Sequence, residues 1–148
     1  MPTKLGKKYF IDWRGDPPHM LKEDVPVWYR FLGKYGHLFS ALYYDVLLGG
    51  PTLSPAQEAD PFWRGWRVNI SKRADAIAIV GDKVWIIEVA TNPGLRAVGQ
   101  LLVYHTLWLE DPKIFMPEEL ILVCESVDKD LLAGAAQYGI RSYVTPRP

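Results

Sequence analysis

The stretch from Asp75 to Ala90 constrains the fold of this chain more than any other. Asp75-Ala-Ile-Ala-Ile-Val80 and Val84-Trp-Ile-Ile-Glu-Val89 are rich in β-branched residues and are separated by Gly81-Asp82-Lys83. Two such runs around a Gly-Asp turn form a β-hairpin. A hairpin turning there sets Asp75 roughly opposite Glu88 at its open end. Two carboxylates at close range repel unless a proton or a cation lies between them. Glu88 also interrupts an apolar strand, where an unpaired buried carboxylate costs on the order of several kcal/mol. A hard divalent ion accepts such a pair and keeps several waters, and a metal so held can activate water against a phosphate. The same residues equally permit Glu88 to be a strand-end carboxylate that faces solvent or pairs with Arg73 or Arg96.

The rest of the chain supplies the partners of this hairpin. Glu23-Asp24-Val25-Pro26 reads as a helix start, and the helix runs to about Tyr35 with Val27, Phe31 and Tyr35 on one face. Phe39 to Leu48 reads as a strand closed by Gly49-Gly50-Pro51. Residues 51–66, with Pro51, Pro55, Pro61, Trp63 and Trp66, read as a long loop. Leu95 to Leu109 has helical spacing, with Leu95, Val98, Leu102 and His105 or Leu109 near one face. Leu120 to Cys124 suits a buried strand. Asp128 caps a helix to Tyr138 with Gly139 at its end, and Arg141 to Val144 is a last strand. Residues 1–24, with Pro17 and Pro18, read as an N-terminal arm of little regular structure, and 25–148 as one domain. The order α-β-β-β-α-β-α-β predicts an α/β fold with a mixed sheet covered by helices.

Composition closes off several alternatives. The chain has 148 residues, 49% apolar and 23% charged, which suits an ordinary globular domain. Its single cysteine, Cys124, excludes an intrachain disulfide, and with only His19, His37 and His105 beside it no zinc pattern forms. Cys124 reads as core and His105 as a partly buried helix residue. No apolar run reaches the length of a membrane span, and Met1 to Lys8 leads into no apolar segment. The expected location is the cytoplasm, or a particle assembled there. Residues 1–74 hold 11 basic and 7 acidic residues, a balance of +4, and residues 75–148 hold 6 and 10, a balance of −4. Affinity for phosphates would have to come from a local patch such as Arg64, Arg67, Lys72 and Arg73, which serves equally as a solvated loop.

Arg73-Ala-Asp75, Ile-Ile-Glu88-Val-Ala90 and Gly99-Gln100-Leu-Leu-Val-Tyr104, in that order on a hairpin and the next helix, resemble the PD-(D/E)XK nuclease superfamily. The resemblance covers residues 70–110 by motif and about 25–145 by element order. It implies a restriction-endonuclease-like core in which Asp75, Glu88 and the backbone carbonyl of Val89 hold Mg²⁺ or Mn²⁺. It also places Gln100 and Tyr104 on one helix face at the site, with Arg96 one turn earlier. Ala90 departs from the pattern, because the family has a lysine there that activates the attacking water. Arg73 and Arg96 can supply positive charge in its place, but a guanidinium cannot serve as a general base. The expected function is metal-dependent hydrolysis of DNA phosphodiesters, with Asp75, Glu88, Gln100, Arg73 and Arg96 at the catalytic site. The alternative is an inactive nuclease fold reused as an assembly component, for example in the head or neck of a bacteriophage particle. In that case the aromatic-rich segment 51–66 and the tail Val144-Thr-Pro-Arg-Pro148 would dock a protein partner.

Overall fold

The predicted strands assemble into one five-stranded mixed sheet. The computed structural model describes residues 3–70 and 72–148, and the side chains of all of these except 68–70. The elements follow in the order α1 (Val25–Tyr35), β1 (Phe39–Leu48), α2 (Pro55–Glu58), α3 (Pro61–Ile70), β2 (Lys72–Val80), β3 (Lys83–Ala90), α4 (Leu95–Glu110), β4 (Glu118–Cys124), α5 (Lys129–Gln137) and β5 (Ile140–Val144). Strand order is β1-β2-β3-β4-β5. The first three strands form an antiparallel meander. β3 to β4 and β4 to β5 are parallel, each pair joined through a helix. Apart from α2 and α3, this is the expected α-β-β-β-α-β-α-β order.

Both faces of the sheet are buried. On one, Val27, Trp28, Phe31 and Leu32 of α1 pack on β-strand residues that include Leu42, Trp85 and Ile87. On the other, Ala97, Leu101, Tyr104 and Trp108 of α4 pack over Val84, Ile86 and Leu122. The buried stripe of α4 is not the predicted one. Leu95 is 82% exposed and Leu109 is 55% exposed. The helix offers two apolar stripes, and the one that ends in the larger surface of Trp108 is buried. That choice also turns Tyr104 toward the sheet.

Most of residues 51–66, expected to form a loop, is helical: α2 and the start of α3 lie there. Ser54 and Gln57 form a reciprocal capping box at the start of α2, and the Asp60 carboxylate accepts from the Phe62 amide at 2.9 Å before α3. Pro55 and Pro61 therefore open helices, where a missing N–H costs nothing, rather than break them. The described residues of the N-terminal arm contain no helix or named strand, but they are tied down. Lys4 and Leu47 exchange backbone hydrogen bonds, and the Tyr9 amide donates to Leu42. The arm thus covers the otherwise open edge of β1.

Asp24 does not cap α1. Its carboxylate accepts from the amide of Thr91 at 2.9 Å and from the Thr91 hydroxyl at 2.8 Å. The start of α1 is thereby fixed to the chain just beyond β3. Asp128 does cap α5, accepting from the amides of Asp130 and Leu131. Cys124 is buried in β4, as expected for a core residue, and burial raises its thiol pKa to about 11.

Phe31 is completely buried between α1 and the sheet. Phe31→Ala is expected to destabilise the protein by about 3–5 kcal/mol. Urea unfolding should show this as a lower midpoint with an unchanged slope, and Phe31→Leu should lose far less.

Candidate functional site

The hairpin register builds the site. β2 and β3 pair through Val80↔Lys83 to Ala76↔Ile87, so the next position along brings Asp75 beside Glu88, as expected. β2 begins at Lys72, three residues earlier than expected, so Asp75 lies within the strand where it leaves the ladder with β3. On the other side, Tyr44↔Ala76 and Val46↔Ala74 bracket Asp45 against Asp75. Three acidic residues thus form one row across β1, β2 and β3.

Asp45 has φ of 50° in the middle of a strand, a left-handed conformation that aspartate tolerates better than most residues. The strand turns over there. Tyr44 belongs to the core under α1 and Val46 to the core under α4, although they are two residues apart. Their partners Ala76 and Ala74 divide in the same way. The turnover has a consequence for Lys72. Simple alternation predicts that Lys72 points away from the site, but it lines a recess with Arg96, Gln100 and Tyr104 of α4.

The side chains around the pair hold it in place. The Val89 amide donates to Oδ2 of Asp75 at 2.8 Å, so β3 fixes the Asp75 carboxylate directly. Oε1 of Glu88 is buried and has no hydrogen-bond partner, and the residue as a whole is 8% exposed. Burial, and then the charge of Asp75, raise the Glu88 pKa to about 9, while the Tyr104 hydroxyl pulls the other way. Burial raises Asp75 to about 6, with the Val89 amide opposing. Burial and the charge of Glu88 keep Tyr104 firmly protonated, so its hydroxyl stays a donor. Glu88 is therefore neither solvent-facing nor held in an ion pair with Arg73 or Arg96. Near neutral pH without a cation, the pair retains a proton.

A cleft of about 470 Å³ opens over these groups, and Arg73, Asp75, Glu88, Val89, Arg96 and Gln100 all line it. Ala90 lines it too, where its methyl group offers no charge. Arg73 lies 3.4 Å from Asp45, and the Asp45 carboxyl, raised by burial, is pulled back by Arg73 and His19. Asp45, His19 and Asp24 also border the cleft and were not anticipated. Asp45 interrupts an apolar strand just as Glu88 does, so the sequence carried a signal for it. His19 carries no such signal, because it reaches the cleft from the arm. Among the described residues, no group of three His, Cys, Asp or Glu side chains is arranged to hold a metal ion. A cation here would rest on two carboxylates, water and backbone or substrate oxygens, a donor set that Mg²⁺ accepts. The orphaned Oε1 of Glu88 fits that role.

No protein-family profile matches the sequence, and no curated protein matches it. Among solved structures, the chain is similar to a repair endonuclease from Pyrococcus abyssi, with 17% identity and a TM-score of 0.41 over 67% of this chain. The matched region spans 50% of that protein's length.

The protonated pair makes stability depend on pH. Glu88 binds its proton more tightly in the folded protein than in the unfolded chain, so its contribution is complete below the unfolded value of 4.5 and is lost as pH rises toward 9. Glu88→Gln removes that loss. In metal-free buffer the variant should melt roughly 3–10 °C above wild type at about pH 8.5 and show a flatter pH profile. Thermal scans from about pH 5 to 9 check this; a wild type whose stability does not fall over that range would contradict the assignment.

Proposed function

We propose that the cleft is a divalent-cation-dependent phosphodiesterase centre, that Asp75 and Glu88 hold Mg²⁺ or Mn²⁺, and that the substrate is DNA. The observation that carries this reading is the buried Asp75–Glu88 pair, with Oε1 of Glu88 unpartnered, at the floor of an open cleft with Arg73 and Arg96 on its walls. The order Asp75, Glu88, Gln100, Tyr104 on a hairpin and helix, which resembles the PD-(D/E)XK nucleases, supports it.

A cation bound there would supply Lewis-acid charge and a water of lowered pKa. The chain's own groups do the positioning. The Val89 amide fixes Asp75, and Tyr104 faces Glu88 from α4. Gln100, one turn before Tyr104, presents an amide to the cleft. Arg96, exposed at the rim, offers charge-assisted hydrogen bonds to a phosphate. Neither arginine removes a proton from water. With alanine at position 90, the rate is expected to be lower by roughly 10² to 10⁴ than with a lysine there.

Ala90 favours a second reading, in which the same fold has lost catalysis and serves as a structural component of an assembly such as a phage particle. Cleavage assays separate the two. The first reading expects slow cleavage of duplex or single-stranded DNA with Mg²⁺ or Mn²⁺, abolished in Asp75→Ala and Glu88→Ala and accelerated in Ala90→Lys. No cleavage by either wild type or Ala90→Lys would sink it and leave the second.

A further inference from the structure

The segment α2–α3, inserted between β1 and β2, carries an exposed aromatic face. Phe62 is 69% exposed and Trp66 is 38% exposed. They lie one helical turn apart, and both pack edge-on against Trp63. Gly65 lies between them on the outer side of the helix, and a Cβ built there would meet nothing within 4 Å. Neither packing nor backbone conformation requires that glycine, and glycine inside a helix costs stability relative to alanine. It leaves a slot floored by backbone, beside two aromatic side chains.

The helix is anchored through one buried side chain. Its inner side carries Arg67, which is buried and donates to the Gly49 carbonyl. Gly49 in turn packs so closely on α4 that a Cβ would lie 2.7 Å from Leu107. The aromatic face stands at the same end of the sheet as the site, because α3 ends at Ile70, five residues before Asp75. Five residues span at most about 18 Å.

Charge indicates what covers this face. Residues 61–73 contain Arg64, Arg67, Lys72 and Arg73 and no acidic residue, although Glu58 and Asp60 precede them; Arg67 is buried against Gly49 and Arg73 lies beside Asp45, so Arg64 and Lys72 are the cations that face outward. Arg64 and Lys72 are exposed, and Lys72 lines the recess that adjoins the cleft through Arg96, Gln100 and Tyr104. Aromatic planes interleaved with cations are the means by which proteins hold unpaired nucleotides, with bases on the rings and phosphates on the cations.

We infer that the Phe62–Gly65–Trp66 face of α3 is a stacking platform for an unpaired nucleic-acid strand, which passes Arg64 and Lys72 toward the Asp75–Glu88 cleft. The destination of the strand rests on the phosphodiesterase reading; binding to the platform does not. The preferred substrate is then DNA with a single-stranded segment rather than continuous duplex.

Fluorescence polarisation of a labelled oligo(dT) strand of about 15 nucleotides, in EDTA, tests the platform without catalysis. Wild type should bind the strand more tightly than a duplex of equal length. Phe62→Ala/Trp66→Ala should weaken binding roughly tenfold or more. Gly65→Leu, which fills the slot and keeps both rings, should also weaken it. Unchanged binding in folded double and Gly65→Leu variants would overturn the platform. So would binding to phosphatidylglycerol vesicles, or concentration-dependent dimerisation, that depends on the two rings while oligo(dT) binding does not. Ring-dependent oligo(dT) binding by a protein that cleaves nothing would retain the platform and remove the phosphodiesterase. Cleavage unaffected by the double variant would do the reverse.

Discussion

The central physical constraint in this protein is the placement of two carboxylates, Asp75 and Glu88, at adjacent positions of a buried antiparallel pair. The hairpin turn at Gly81 sets the register, and the register sets the neighbours. A slip of one residue would turn every side chain of β3 to the opposite face and exchange its contacts with α1 for those with α4. The apolar alternation that holds the core in place is therefore also what holds the two acids together. Folding places them where water does not reach Oε1 of Glu88, and the resulting cost must be met by a proton or a cation.

The surrounding elements maintain that arrangement. Asp24 ties the head of α1 to Thr91, immediately beyond β3. The Val89 amide, near the end of β3, donates to the Asp75 carboxylate of β2. α4 buries the stripe that contains Tyr104, and its polar tip meets the carboxylate pair. The turnover at Asp45 brings a third acid into the row and points Lys72 to the α4 side. α4, which covers one face of the sheet, thus also forms a wall of the cleft through Arg96, Gln100 and Tyr104.

Much of this was legible in the sequence, for identifiable reasons. Two runs rich in β-branched residues around a Gly-Asp turn fixed the hairpin and with it the Asp75–Glu88 pairing. Arg73, Val89, Arg96 and Gln100 reach the cleft because strand and helix periodicities determine direction once the register is known. What failed depended on tertiary competition. The buried stripe of α4 was decided by Trp108 against an equally periodic alternative. α2 and α3 were hidden because Pro55 and Pro61 read as breakers, although Ser54 and Gln57 spelled a capping box. The face of Lys72 was misjudged because alternation assumes a regular strand, and the positive φ of Asp45 breaks that assumption for its neighbours. His19 arrives from a segment without periodicity, so no pattern announces it.

The account requires that a cation and a proton compete for the same pair of oxygens. Calorimetric titration with Mn²⁺ at about pH 7.5, in two buffers of different ionisation enthalpy, measures this directly, since ligands that must lose a proton release it on binding. Release of about one proton per bound ion, and loss of both the binding and the release in Glu88→Gln, is the predicted result. Binding without proton release, or no binding at all, would contradict the claim that Asp75 and Glu88 are a cation site held open by a shared proton.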